Sequence, residues 1–236
     1  MGQTIKGLLF DKDGTLFDFN ATWGSWAAHF FKSLFDDLKT ADSVAASIGF
    51  NLQTHEFDPG SVVIAGTPND IADAISKETP HISRSQLLEI MNETAASAPQ
   101  AEVVPLLEFL SGLEARGYKL GVATNDAEAP ARAHLKSANI EQSFNFIAGY
   151  DSGFGAKPEP GMQKGFCRAM DLAPGEVAMI GDSTHDLIAG ESAGMITVAV
   201  LTGLAREEDL KPFADVVLPS IADLPEWLEN FNAQTT

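Results

Sequence analysis

From Val103 onward, short apolar runs alternate with stretches of helical periodicity, a pattern that restricts this part of the chain to a parallel sheet with helices on both faces. Residues 118–123, 144–148, 177–180, 196–200 and 216–218 read as strands. Between them, Val103, Leu106, Leu107, Leu110 and Leu113 mark a helix stopped by Gly117. A second helix runs to Lys136 with Asp126 as its expected cap, and a third spans residues 160–170, with Met162, Phe166 and Met170 on one face. One more apolar run, residues 5–10, stands far ahead of the others. The long stretch between has no strand pattern. Trp23, Trp26, Ala27, Phe30, Phe31, Leu34 and Leu38 share a helical stripe, and residues 40–49 suggest another helix. Residues 50–60 read as a loop closed by Asp58-Pro59-Gly60. Thr67-Pro68-Asn69-Asp70 has the form of a helix start, and Ser83 with Gln86 forms a capping box. The expected fold is therefore α/β, a doubly wound parallel sheet built from residues 1–17 and 100–236, with an all-helical cap, residues 18–99, inserted after the first strand. Ala95 to Pro99 reads as the hinge between them.

The first strand stops abruptly at Asp11-Lys12-Asp13-Gly14-Thr15, which places two carboxylates at its carboxyl end, where open parallel sheets bind ligands. Gly14 lets the chain turn away. Two acids crowded into one small site repel each other and lose hydration, so a divalent cation, a phosphoryl group with basic neighbours or a shared proton is needed to offset the cost. Three other strand ends carry polar groups. Thr124-Asn125-Asp126 offers a hydroxyl and free amides suited to phosphate, although a helix cap explains it equally well in isolation. Ala156-Lys157-Pro158-Glu159-Pro160 offers a lysine in a loop fixed by prolines, and Gly181-Asp182-Ser183-Thr184-His185-Asp186 offers two more acids at a helix start. Topology brings all four ends to one edge of the sheet.

Composition narrows the ligand. With 15 Lys and Arg against 33 Asp and Glu, the net charge of −18 disfavours attraction to nucleic acid or an anionic membrane surface. An anionic small molecule must then be captured by local groups. Cys167 is the only cysteine, so no intrachain disulfide can form; with no signal-peptide pattern and no apolar run of membrane-spanning length, a cytoplasmic location is expected.

In this order and spacing the four motifs resemble the haloacid dehalogenase superfamily, in particular its phosphoglycolate phosphatase-like branch with a helical cap. The resemblance implies a Mg²⁺-dependent phosphatase that hydrolyses a small phosphorylated metabolite through an aspartyl-phosphate. Asp11 would be the nucleophile. Asp13 would be the general acid and base, its protonation favoured by adjacent anions. Thr124, the amide of Asn125 and Lys157 would bind the phosphate oxygens. Mg²⁺ would be held by Asp11, Asp182 and the backbone carbonyl of Asp13, with Asp186 in support. Substrate choice would sit on the cap, where Asp18, Asn20 and Trp23 are the candidates, with Thr67 behind them. The resemblance points to phosphoglycolate first among small phosphomonoesters.

Rival readings survive only in part. A sugar phosphomutase of the same fold shares the chemistry, but its branch has a histidine twelve residues after the nucleophile, where this chain has Trp23. A non-catalytic phospho-accepting signalling domain would have its acceptor mid-chain and no acid two residues on. A calcium loop starting at Asp11 would require an acid where Thr22 stands. Ser183 and Thr184 read as helix caps, and His185, within the last motif, is a candidate contact for substrate or water.

Overall fold

The computed structural model describes residues 4–234. The chain leaves β1 (Gly7–Phe10) for a helical insertion that opens with a π-helical turn, Asn20–Gly24, and continues through α1 (Ser25–Leu34) and α2 (Leu38–Ser47). Next come β2 (Phe50–Asn51), β3 (Glu56–Phe57), α3 (Val62–Ala65), α4 (Pro68–Ser76) and α5 (Arg84–Ala95). The remainder alternates as read from sequence: α6 (Leu106–Ala115), β4 (Lys119–Ala123), α7 (Glu128–Ser137), β5 (Phe146–Ala148), α8 (Gly161–Met170), β6 (Val177–Gly181), α9 (Thr184–Ala193), β7 (Ile196–Val200), α10 (Glu207–Leu210), β8 (Val216–Leu218) and α11 (Leu224–Gln234).

Six strands form one parallel sheet in the order β5-β4-β1-β6-β7-β8. β1 lies between β4 and β6, with Phe10 level with both Val122 and Ile180. The order reverses at β1, and the crevice beyond the carboxyl ends of such strands is where this architecture binds ligands. Successive side chains of β1 point to opposite faces. Leu8 and Phe10 therefore join one core with Leu110 and Leu113 of α6 and Leu224 and Leu228 of α11, while Leu9 joins Met162 and Phe166 of α8 in another.

Residues 19–95 supply a separate hydrophobic cluster. Its centre is a run of aromatic contacts: Trp26 stacks on Phe30 at 5.1 Å between centroids, Phe31 packs on Phe50, and Phe50 on Phe57 at 4.7 Å. The last contact accounts for the one departure from an all-helical insertion. Phe50 and Phe57 are partners in an antiparallel ladder of two residues per strand, too short to show a period of two in the sequence. The expected capping boxes are present, with Thr67 and Asp70 at α4 and Ser83 and Gln86 at α5. The helix stripe starting at Trp23 is interrupted, because Trp23 belongs to the π-helical turn and Leu38 begins α2.

Packing of the sheet against α8 depends on a missing side chain. A Cβ on Gly121 would lie 2.7 Å from two ring carbons of the fully buried Phe166, whereas one on Gly112, exposed on α6, would meet nothing. Gly121→Ala is expected to cost about 1–3 kcal/mol by overpacking, and Gly112→Ala to stabilise by up to about 1 kcal/mol through helix propensity. Urea unfolding midpoints of the two variants should therefore move in opposite directions.

Candidate active site

The four polar strand ends converge. Lys157, in the loop before α8, reaches across the sheet edge and donates from Nζ to Asp11 Oδ1 and to Asp186 Oδ1, both at 2.6 Å, and to the Ala123 carbonyl at 2.9 Å. Its side chain is 4% exposed, buried among these partners. The loop carrying it is held by Asn125, whose amide donates to the Lys157 carbonyl at 2.9 Å and accepts from the Lys157 N–H at 2.8 Å. The same amide donates to Ala65 O at 2.8 Å and so ties the loop to α3 of the insertion. Asn125 thus fastens three segments with its side chain.

Asp182 follows β6, and a capping box at α9 holds Asp186: Ser183 donates to Asp186 Oδ2 from its N–H at 3.1 Å and from Oγ at 2.6 Å. Glycine makes room for these acids. Gly14 has φ +82°, and a Cβ there or at Gly203 would collide with the Asp182 carboxylate. Thr15 donates to Asp182 Oδ1 at 3.4 Å.

Asp11, Asp182 and Asp186 are buried, and each offers an oxygen such that the three lie within 4.8 Å of one another. One ammonium does not balance three carboxylates. Burial and the neighbouring Asp186 charge push Asp11 up to about 7 despite Lys157, and burial together with Asp11 raises Asp182 well above the usual carboxylate range. Hard oxygen donors short of positive charge suit a hard divalent cation such as Mg²⁺.

A second buried cluster lies beside the first, and sequence reasoning missed it. Lys12 is fully buried. Its Nζ meets Asp13 Oδ1 at 2.8 Å and Oδ2 at 2.7 Å, lies 3.0 Å from His134 Nδ1, and sits 5.4 Å from the Trp23 ring centroid. His134 Nε2 lies 2.6 Å from the Ala95 carbonyl, which can only accept, so Nε2 carries the proton and Nδ1 accepts from Lys12. His134 is therefore neutral, in agreement with burial and the Lys12 charge lowering it to about 4. The nearest charged partner of Asp13 is this ammonium, not the adjacent anions expected. Asp126 also differs from expectation. The cap of α7 is Ala127, while Asp126 lines the cleft with Oδ2 3.5 Å from Lys12 Nζ. A lysine placed between two strand-tip acids was the only signal of this cluster in the sequence.

The cleft above these groups is closed by the insertion. Asp11, Asp13, Thr124, Asn125 and Lys157 line its floor, His185 and Ser183 one side, and Phe19, Trp23, Val63, Ile71 and Met91 its roof. Of the cap candidates only Trp23 lies there. Asp18 and Asn20 are exposed outside the cleft, Asp18 accepting from the Ala21 N–H at 2.8 Å, and Thr67 caps α4 instead. The connection from β1 turns at residues 14–16, and beyond it Asp18 and Asn20 are exposed while Phe19 and Trp23 line the cleft.

Fold and site together define a hydrolase of the phosphoryl-transfer type. Residues 8–200 match the model of the haloacid dehalogenase-like hydrolases, and the chain belongs to that family. It is 29% identical over 231 residues to a pyrophosphatase PpaX from Bacillus mycoides (strain KBAB4), covering 97% of this chain and 99% of that protein. Among solved structures it is similar to a predicted phosphoglycolate phosphatase from Haemophilus somnus 129PT, with TM-score 0.71, 20% identity, and coverage of 94% and 97%. It is also similar to a β-phosphoglucomutase from Clostridium difficile, with TM-score 0.68, 18% identity, and 98% of both chains covered. These two likenesses concern the fold.

Because Asp11 binds its proton near pH 7 when folded and near 3.8 when unfolded, the metal-free native state holds more protons between those values. Its stability should therefore rise as pH falls from about 7 toward about 4. Saturating Mg²⁺ at 100 times its Kd should add about 2.7 kcal/mol at neutral pH and less at pH 5, where protons compete. Thermal unfolding with and without Mg²⁺ at both pH values reads the difference.

Proposed function

We propose that the protein is a Mg²⁺-dependent phosphatase that hydrolyses a small phosphomonoester through a phosphorylated Asp11. The observation that carries this reading is the Lys157 ammonium shared between Asp11 and Asp186 within a cluster of three buried carboxylates. Such a site concentrates a nucleophile and its counter-charge at one point, which phosphoryl transfer requires because positioning and electrostatics do most of its work.

In this reading Asp11 attacks phosphorus and the ester oxygen departs. Asp13, held by Lys12, gives that oxygen a proton and later takes one from the water that hydrolyses the aspartyl-phosphate. Asp11, Asp182 and Asp186, with the Asp13 carbonyl, would hold Mg²⁺, which would supply positive charge to offset the negative charge on the phosphoryl oxygens. Thr124, the Asn125 N–H and Lys157 bind those oxygens. Asn125 also keeps Lys157 in place by the paired hydrogen bonds described above. The apolar roof keeps bulk water from the intermediate. A reducing, cytoplasmic location fits the single buried Cys167.

The name of the Bacillus relatives favours a second substrate, inorganic pyrophosphate, with the same residues in the same roles. Phosphoglycolate, mutase activity and a stable phospho-protein are the other outcomes to be separated. With Mg²⁺ the protein should release phosphate from para-nitrophenyl phosphate. Asp13→Asn should lower kcat by roughly 10²–10⁴-fold, and Asp11→Asn should remove turnover together with acid-stable labelling of the protein. Equal turnover by Asp11→Asn would take Asp11 out of the mechanism. A phospho-protein that persists for hours would favour signalling, and formation of a sugar bisphosphate would favour the mutase.

A further inference from the structure

His134 is buried, and no step of the phosphatase reading uses it. It lies on the buried face of α7, and its two ring nitrogens serve different parts of the molecule. Nδ1 is 3.0 Å from Lys12 Nζ, and Nε2 is 2.6 Å from the carbonyl of Ala95, the last residue of α5. That carbonyl is among those a helix end leaves without an intrahelical partner, and it also accepts from the Ala98 N–H at 2.9 Å. Around the Lys12 ammonium stand Asp13, His134 and, farther off at 3.5 Å, Asp126 Oδ2. A leucine would fill the place of His134 without the cost of burying a polar ring. The imidazole supplies what leucine cannot, an acceptor for Lys12 and a donor for the end of α5. The Trp23 ring, which lines the cleft, lies 6.3 Å from the imidazole and 5.4 Å from Lys12 Nζ. Met91, Asn92 and Ala95 of α5 line the same cleft. A helix of the roof is thus joined to Asp13 through two side chains, His134 and Lys12.

We propose, on the basis of the phosphatase reading above, that His134 is a positioning residue for proton transfer to the leaving group: by tying Lys12 to the end of α5, it lets the roof fix where the Asp13 carboxyl stands. In that reading an Asp11 oxygen–phosphorus bond forms while the ester oxygen–phosphorus bond breaks. The bonding pair leaves with the ester oxygen, and Asp13 gives that oxygen its proton. His134 touches none of the reacting atoms. Without its ring, Lys12 keeps Asp13 and Asp126 as partners but loses its tie to α5, and Asp13 loses a fixed direction toward the departing oxygen. A displacement of about 1 Å at such a group can lower a rate by about 10²-fold. The loss falls on leaving groups that need the proton. A phenolate of high basicity needs it, whereas 2,4-dinitrophenolate departs without it.

Esters that differ in leaving group test this. With Mg²⁺, kcat/KM is measured for phenyl phosphate and for 2,4-dinitrophenyl phosphate in wild type, His134→Phe and His134→Gln; this constant covers phosphoryl transfer up to departure of the leaving group. His134→Phe keeps a ring beside Trp23 but can neither accept nor donate. It is expected to lower kcat/KM for phenyl phosphate by about 10–10²-fold and to leave the dinitrophenyl ester nearly unchanged. His134→Gln, whose amide can do both, should move the ratio of the two constants in the same direction by less. Mg²⁺ affinity, read from thermal unfolding, should not change in either variant, which separates this effect from a disturbed metal site. In wild-type protein with ¹⁵N-labelled imidazoles, the His134 proton is expected on Nε2. The proposal is overturned if that proton is on Nδ1, or if the ratio in His134→Phe matches wild type. Should His134→Phe fail to fold, a wild-type ratio in His134→Gln overturns it instead. Turnover with an unchanged ratio removes only the role of His134; no turnover of either ester by wild-type protein removes the phosphatase reading with it.

Discussion

The Lys157 ammonium is the interaction on which the rest of the site depends. Two strand ends deliver three carboxylates to one edge, and without a cation between them the buried acids would repel one another and lose hydration with nothing in return. The fold places that cation through a loop far from Asp11 in sequence, and it fixes the loop with the Asn125 side chain. The residual excess of negative charge, visible in the raised Asp11 and Asp182, is what makes the edge receptive to a divalent ion. Structural need and chemical capacity arise from the same imbalance.

A second lysine performs the corresponding task one step away. Lys12 follows Asp11 in the chain, and its side chain meets Asp13, Asp126, His134 and Trp23. Three of these belong to the sheet domain and one to the insertion. His134 extends the connection to the Ala95 carbonyl at the end of α5. The acid assigned to proton transfer is thus held by a group that also touches the roof and, through one imidazole, the segment where the insertion ends. Opening of the insertion about that segment would disturb Asp13 as well as the cleft.

The sheet was legible because each strand is an apolar run with a sharp polar stop, and a parallel topology turns such stops into neighbours. Asp11, Lys157, Asp182 and Asp186 needed only that rule to be gathered together. The two-residue ladder at Phe50 and Phe57 carried no periodic signal, since an aromatic contact and not a strand pattern holds it. Asp18 and Asn20 were misplaced because polarity near a hinge says nothing about which way the chain sends them after its turn at residues 14–16. Lys12 and His134 lie more than a hundred residues apart, and each looks ordinary alone; only their burial together reveals a neutral imidazole accepting from an ammonium.

Both cations at the cleft lie at its bottom, inside a molecule whose outer charge is strongly negative. An approaching phosphate dianion first meets a repulsive far field, and only within the last few ångströms, where the two lysines and the divalent ion that the excess acids would hold come together, a well, a potential of opposite signs at long and short range. Mobile ions flatten the outer hill over about 8–10 Å and leave the enclosed well nearly untouched. Capture by this protein consequently accelerates as ionic strength rises, the reverse of what a positively charged funnel would show.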